Sequence, residues 1–161
     1  ARMGFARTIL NAALEAGIAR ENVAIDCLTL TVSAQQDQVK QTLEAVARVR
    51  GELGLETVLG VSNISFGLPQ RTLVTQAFLT QAIQSGLTLP IINPNQKEMM
   101  DAVDACRVLS GEDAHCAAYI ERHAAQTKPQ AKQKPGVKLS IADAIAKGLC
   151  DEAAAAAREL L

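Results

Sequence analysis

Three short, nearly continuous apolar runs recur at a regular interval, and that interval limits what the chain can fold into more than any other feature. They are Val23-Ala24-Ile25-Asp26-Cys27-Leu28, Thr57-Val58-Leu59-Gly60-Val61-Ser62 and Thr88-Leu89-Pro90-Ile91-Ile92-Asn93. Their starts lie 34 and 31 residues apart. Each gap is long enough for one helix and two connections, the length of a parallel strand–helix–strand unit. Runs this uniformly apolar predict strands buried on both faces.

Helical patterns fill the gaps. Phe5, Ile9, Ala13 and Ala16 form a stripe that stops at Gly17. Ser33 with Gln36 resembles a capping box ahead of Val39, Leu43, Val46 and Leu53, and Gly54 closes that segment. Val74, Phe78, Ala82 and Ile83 mark the next helix, ended by Gly86 in the left-handed conformation. Asn95 with Glu98 starts another, carried by Met99, Val103 and Cys106 to Gly111. The order is therefore helix, strand, helix, strand, helix, strand, helix. A further helix is expected over 112–126.

With 161 residues, the chain is too short for a complete (β/α) barrel, which takes about 250. Only 2% of residues are aromatic, so the core is expected to be aliphatic, and stacking on single-stranded nucleic acid is disfavoured. Sixteen basic residues against seventeen acidic ones leave a net charge of −1, which gives no field to attract nucleic acid or an anionic membrane. No apolar stretch approaches the roughly 20 residues of a membrane span, and the N-terminus lacks a signal-peptide run. Cys27, Cys106, Cys116 and Cys150 form no Cys-x-x-Cys pair. A reduced, cytoplasmic setting is expected, with no metal site in this chain.

Residues 127–138 hold four lysines, two prolines and no acid, and read as an exposed linker. Beyond it, Ser140-x-x-Asp143 caps a helix carrying Ala142, Ile145 and Leu149, and Asp151 caps an alanine-rich helix that is still running at Leu161. A helix without a stop signal suggests a truncated chain.

In parallel β/α folds reactive groups gather at the C-terminal ends of the strands. Here those ends carry Asp26, then Ser62 with Asn63, then Asn93. Taken singly, an Asp at a strand end is as readily a loop cap as a ligand; three polar ends in phase point to one shared rim.

The stretch GVSNISFGLPQR (60–71), with the helix around Phe78, Leu79 and Ala82, resembles the pterin-binding (methyltetrahydrofolate-binding) domain of cobalamin-dependent methionine synthases and methyltetrahydrofolate:corrinoid methyltransferases. AIDCLTLTV (24–32) is similar to that family's sixth strand, GVSNISFG to its seventh and LPIINPN (89–95) to its eighth. The resemblance implies an α/β fold, the last three units of a (β/α)8 TIM barrel over residues 1–126. After the linker, 139–161 resembles the opening helices of an all-α cobalamin-binding cap.

The resemblance also implies roles. Asp26 stands where the family places a carboxylate that accepts hydrogen bonds from the pterin edge. Asn63 matches the asparagine that contacts the methyl-bearing nitrogen. Ser62 either orients the ring or the Asn63 amide, or satisfies a strand end. Arg71 either meets the anionic tail of folate or is a surface arginine in a first helical turn. Phe66 either walls the pocket or joins the core, and Asn93 either supports the site or starts the helix before Asn95. Cobalamin would sit on a neighbouring corrinoid-binding domain or subunit, with methyltetrahydrofolate as methyl donor. Zinc would belong to a separate homocysteine module.

Asp113-x-His115 resembles the start of a cobalt-ligand motif, but Ala118 stands where the motif needs glycine. The spacing of His115 and His123 places them on nearly the same helix face two turns apart, about 12 Å, too far for one metal ion. Dihydropteroate synthase shares the barrel, but its seventh strand carries a Ser-Arg-Lys stretch where this chain has Ser62-Asn63-Ile64. In a different class, the isolated chain is catalytically inert, a scaffold or oligomerising piece. Three strands leave two open edges, and these are expected to pair with a second copy or lie under rearranged helices.

Overall fold

The computed structural model describes residues 1–124. Its elements follow the expected alternation: α1 (Arg2–Glu15), β1 (Ala24–Asp26), α2 (Gln38–Arg48), β2 (Glu56–Gly60), α3 (Arg71–Gln84), β3 (Leu89–Ile91), α4 (Lys97–Leu109) and α5 (Ala117–His123). A first compact unit spans Ala1–Arg122, and a second begins at His123. The linker over 127–138, the cap helices over 139–161, Cys150 and the end of the helix expected to reach 126 lie outside the described residues.

The three strands form one parallel sheet in the order β1-β2-β3. Asp26 pairs with Val58, and Gly60 with Ile91. Right-handed crossovers place successive helices on one side of such a sheet. That side is the core: Ile25, Thr57 and Leu59 of the strands are buried with Leu10, Val46, Val49, Phe78, Leu79, Ala82 and Met99. As the composition implies, the core is aliphatic apart from Phe78.

Among the described residues, no element covers the other side of the sheet. Ala24, Asp26, Leu89 and Ile91 are exposed, Ile91 by 62%. This corrects the expectation of strands buried on both faces: the runs are apolar enough for two covers, and the described residues supply one. Among those residues no further strand pairs with the outer edge of β1 or β3.

Two other local expectations are revised. In α1 the buried stripe is Ala6 and Leu10, with Met3 and Ala13 beside them. Phe5 and Ile9, expected to face inward, are 69% and 51% exposed. Helix α5 begins at Ala117 rather than at 112, because Asp113 accepts the N–H groups of Ala118 (3.0 Å) and Tyr119 (2.9 Å) and fixes the start there. His115, with φ +58°, belongs to the preceding turn, so helical spacing does not relate it to His123.

Glycine ends α3 as expected. Gly86 (φ +104°) donates to Ile83 O and Leu87 to Ala82 O, both at 2.9 Å, the paired bonds of a Schellman motif. The chain then enters β3 at a fixed register, because Thr57 Oγ1 donates to Gly86 O (3.0 Å) and Thr57 N–H to Thr88 Oγ1 (2.9 Å).

Candidate functional site

The C-terminal ends of the strands carry Asp26, then Ser62 with Asn63, then Asn93; Ser62 and Asn93 border one depression, whereas Asp26 lines another with Arg2, Phe5 and Ile9. At the first end, Asp26 Oδ1 accepts the N–H of Leu28 at 2.8 Å and so holds the turn in which Leu28 adopts φ +64°. The carboxylate is thus a loop cap, and its side chain nevertheless stays exposed at the open face. Next to it the Cys27 thiol points into the core. Burial, and secondly the charge of Asp26, push its pKa up to about 11.

At the second end, β2 runs straight into a tight 3-10 turn over Val61–Ser65. Residues three apart eclipse one another in such a turn. Val61 and Ile64 are accordingly both buried, while Ser62 and Asn63 between them are turned outward. The Asn63 amide folds back over Gly60: a Cβ on Gly60 would lie 3.0 Å from Nδ2. Gly60 has the same parity along β2 as Val58, which pairs with Asp26. The amide therefore lies over the open face, and strand rise and spacing put the Asp26 and Gly60 α-carbons about 8 Å apart.

Two sets of contacts hold that turn. From α3, Arg71 Nη2 donates to Ser62 O (3.0 Å) and Nε to Ser65 Oγ (3.1 Å), and its guanidinium carbon lies 4.4 Å from the centre of the Phe66 ring. Ser65 is fully buried and shares a 2.8 Å hydrogen bond with Thr75 Oγ1. From the loop after β1, Thr31 Oγ1 and Ser33 Oγ donate to Phe66 O at 2.9 and 2.8 Å, and Val32 N–H donates to Ile64 O at 2.9 Å. The two loops are close enough that a Cβ on Gly67 (φ +78°) would come within 3.1 Å of Ser33 Oγ.

Three sequence readings change as a result. Ser33 caps no helix: α2 starts at Gln38 without a side-chain cap, and the Ser33 hydroxyl is used between loops. Asn95 with Glu98 forms no cap either, since α4 begins at Lys97 after Gln96. Phe66 is half exposed beneath Arg71 instead of joining the core. Sequence reasoning missed Ser65, Thr75, Thr31 and Ser33 as the residues that hold the turn. Their only signal is small hydroxyl side chains at positions where a helix or loop has no evident need of them.

At the third end, Asn93 Oδ1 accepts the N–H of Asn95 at 3.0 Å and starts the approach to α4. It borders a depression of about 230 Å³ with Ser62, Thr75, Ile91, Gln96 and Met99. Among the described residues no cluster of His, Cys, Asp and Glu is placed to hold a metal ion, and no helix is long and apolar enough to cross a membrane.

The sequence model of pterin binding enzymes matches residues 3–93. A methylcorrinoid:tetrahydrofolate methyltransferase of Eubacterium limosum is 34% identical over 80 residues, covering 50% of this chain and 29% of that protein. Methionine synthases of Mycobacterium leprae and Mycobacterium tuberculosis are each 30% identical over 87 residues, covering 50% of this chain and 7% of theirs. The chain thus spans under a third of these relatives.

Proposed function

The chain belongs to the pterin binding enzyme family, and from that premise we propose that the parent protein moves a methyl group between methyltetrahydrofolate and a corrinoid, within a methionine synthase or a related methyltransferase. One observation carries this reading. The Asp26 carboxylate and the Asn63 amide occupy the same open face at the same end of adjacent parallel strands. The relatives point the same way: the Eubacterium limosum protein is named for methyl exchange between a corrinoid and tetrahydrofolate, and the mycobacterial ones for methionine synthesis. The former name puts the corrinoid on the donor side. One site serves both directions, because the same transition state is crossed either way.

Asp26 receives the donor edge of the pterin. A carboxylate has about four lone-pair sites, and the bond to Leu28 uses one, leaving room for two parallel hydrogen bonds. Asn63 meets the ring nitrogen that carries the methyl group. As the methyl–nitrogen bond breaks, its electron pair stays on nitrogen, which must be protonated or otherwise relieved of charge. A neutral amide donates before that change and accepts after it without ionising, a contact worth a few kcal/mol in the transition state. Ser62 orients the ring from the next position. The corrinoid, held by a neighbouring domain or subunit, supplies the reduced cobalt nucleophile when bound.

We assign residues 1–126 to the last part of the barrel, 127–138 to a linker and 139–161 to the start of the cobalamin cap. Homocysteine activation by zinc belongs to another module. The isolated chain is inactive, because the described residues leave Leu89 and Ile91 exposed where a closed pocket needs walls; its sheet edges favour pairing with a second copy.

Titration calorimetry with methyltetrahydrofolate tests both parts. The full-length protein should bind it, and Asp26→Asn should weaken binding at least tenfold by replacing an acceptor with a donor. Unchanged affinity in Asp26→Asn would refute the carboxylate's role. Full affinity in residues 1–161 alone would refute the inert reading of this chain.

A further inference from the structure

We propose that Arg71 is a positioning residue: it fixes the Val61–Ser65 turn, and through it the Asn63 amide, instead of meeting the anionic tail of folate. The proposal rests on the methyl-transfer reading above and gives Arg71 a different task within it. The Nε–Nη2 edge of the guanidinium and one of its faces are already engaged, by Ser65 Oγ, Ser62 O and the Phe66 ring. Ser62 and Ser65 lie on either side of Asn63, so the two hydrogen bonds clamp the turn across the residue that matters.

The clamp has a firm base. Arg71 and Thr75 are four apart on α3 and share one helix face. Thr75 holds the buried Ser65 hydroxyl from below while Arg71 holds it from above. Further along the same helix, Leu79 and Ala82 are fully buried, so α3 does not shift readily against the sheet. The Asn63 amide, by contrast, has no hydrogen bond to protein among the described residues. Its place is set by the turn beneath it and by the missing side chain at Gly60. Whatever fixes that turn therefore fixes the amide.

Arginine is needed for this and lysine does not substitute. A planar fork gives two donors at fixed angles and a flat face for the ring, whereas an ammonium gives a single point charge. A contact to a carboxylate tail through charge and a single hydrogen bond would tolerate lysine better.

The test uses the full-length protein with Arg71→Lys and Arg71→Gln, and two methyl donors: methyltetrahydrofolate and a methyltetrahydropterin lacking the aminobenzoylglutamate tail. Displacing the amide by about 1 Å should lower kcat about 100-fold. The loss should be equal for both donors, with KM little changed and no rescue by lysine. A loss confined to KM for the tail-bearing donor, restored in Arg71→Lys, overturns the proposal. Hydrogen exchange needs no turnover. The amides of Phe66 (bonded to Asn63 O) and Leu68 (bonded to Ser65 O) should exchange faster in Arg71→Lys, which keeps the charge and aliphatic stem and so the fold. Unchanged exchange there overturns the clamp even if neither donor is used by the wild type, an outcome that would separately refute methyl transfer.

Discussion

The Asn63 amide lies over Gly60 so closely that an added Cβ would sit 3.0 Å from Nδ2. That neighbour, and not the backbone, is what crowds a side chain here, since the Gly60 φ of −73° is one that any residue adopts. Gly60→Ala should therefore push the exposed amide aside by a few tenths of an ångström. Stability should stay within about 0.5 kcal/mol, while kcat for methyl transfer falls roughly tenfold or more. Thermal unfolding beside steady-state kinetics checks this, and an unchanged kcat would remove Asn63 from the reacting atoms.

Asn63→Ala tests the amide directly. An interaction that strengthens only as the methyl–nitrogen bond breaks lowers kcat, by about 100-fold or more, and leaves the dissociation constant for methyltetrahydrofolate nearly unchanged. Equal losses in turnover and in calorimetric affinity would make Asn63 a plain binding residue.

The Ser65 hydroxyl is the buried joint of the turn, shared with Thr75 at 2.8 Å and bonded to Ser62 O at 3.2 Å. Ser65→Ala strands the Thr75 hydroxyl in the core and should cost about 1–3 kcal/mol. Thr75→Val added to it removes the stranded group as well, so the double variant should be more stable than the two single losses predict when summed. Urea denaturation measures all three; strict additivity would mean the pair is uncoupled.

Alkaline pH should weaken the fold through Cys27. Its folded pKa, about 11, lies above the ordinary value of 9.0, because burial and the adjacent Asp26 charge oppose the thiolate while Arg2 partly offsets them. The neutral thiol is thus favoured in the folded state. Its contribution is whole below pH 9 and is lost as pH rises towards 11. The urea midpoint of the wild type should therefore fall more steeply across that window than the midpoint of Cys27→Ala. Parallel slopes would show that the thiol does not couple to folding.

What the sequence determined by itself is local and periodic. Apolar runs at an interval of just over 30 residues, helical stripes between them and a glycine at each helix end are properties of short windows. The three parallel strands and the Schellman stop at Gly86 follow from them. That Asp26, Ser62, Asn63 and Asn93 stand at or just past the strand ends was readable for the same reason.

The tertiary structure decided what needs a partner far along the chain. Helix α1 carries two overlapping apolar stripes of equal period, and only packing against α2 and the short helical segments before β1 and β2 selects Ala6 and Leu10 over Phe5 and Ile9. Ser33 looks like a helix cap in its own neighbourhood, but its hydroxyl bonds a carbonyl 33 residues away. Arg71 reads as a free cation at a helix start, yet its guanidinium is held by the turn that precedes it. Periodicity repeats within a few residues and so survives in sequence. A hydrogen bond between loops depends on where two strand ends are brought side by side, and only the assembled sheet supplies that.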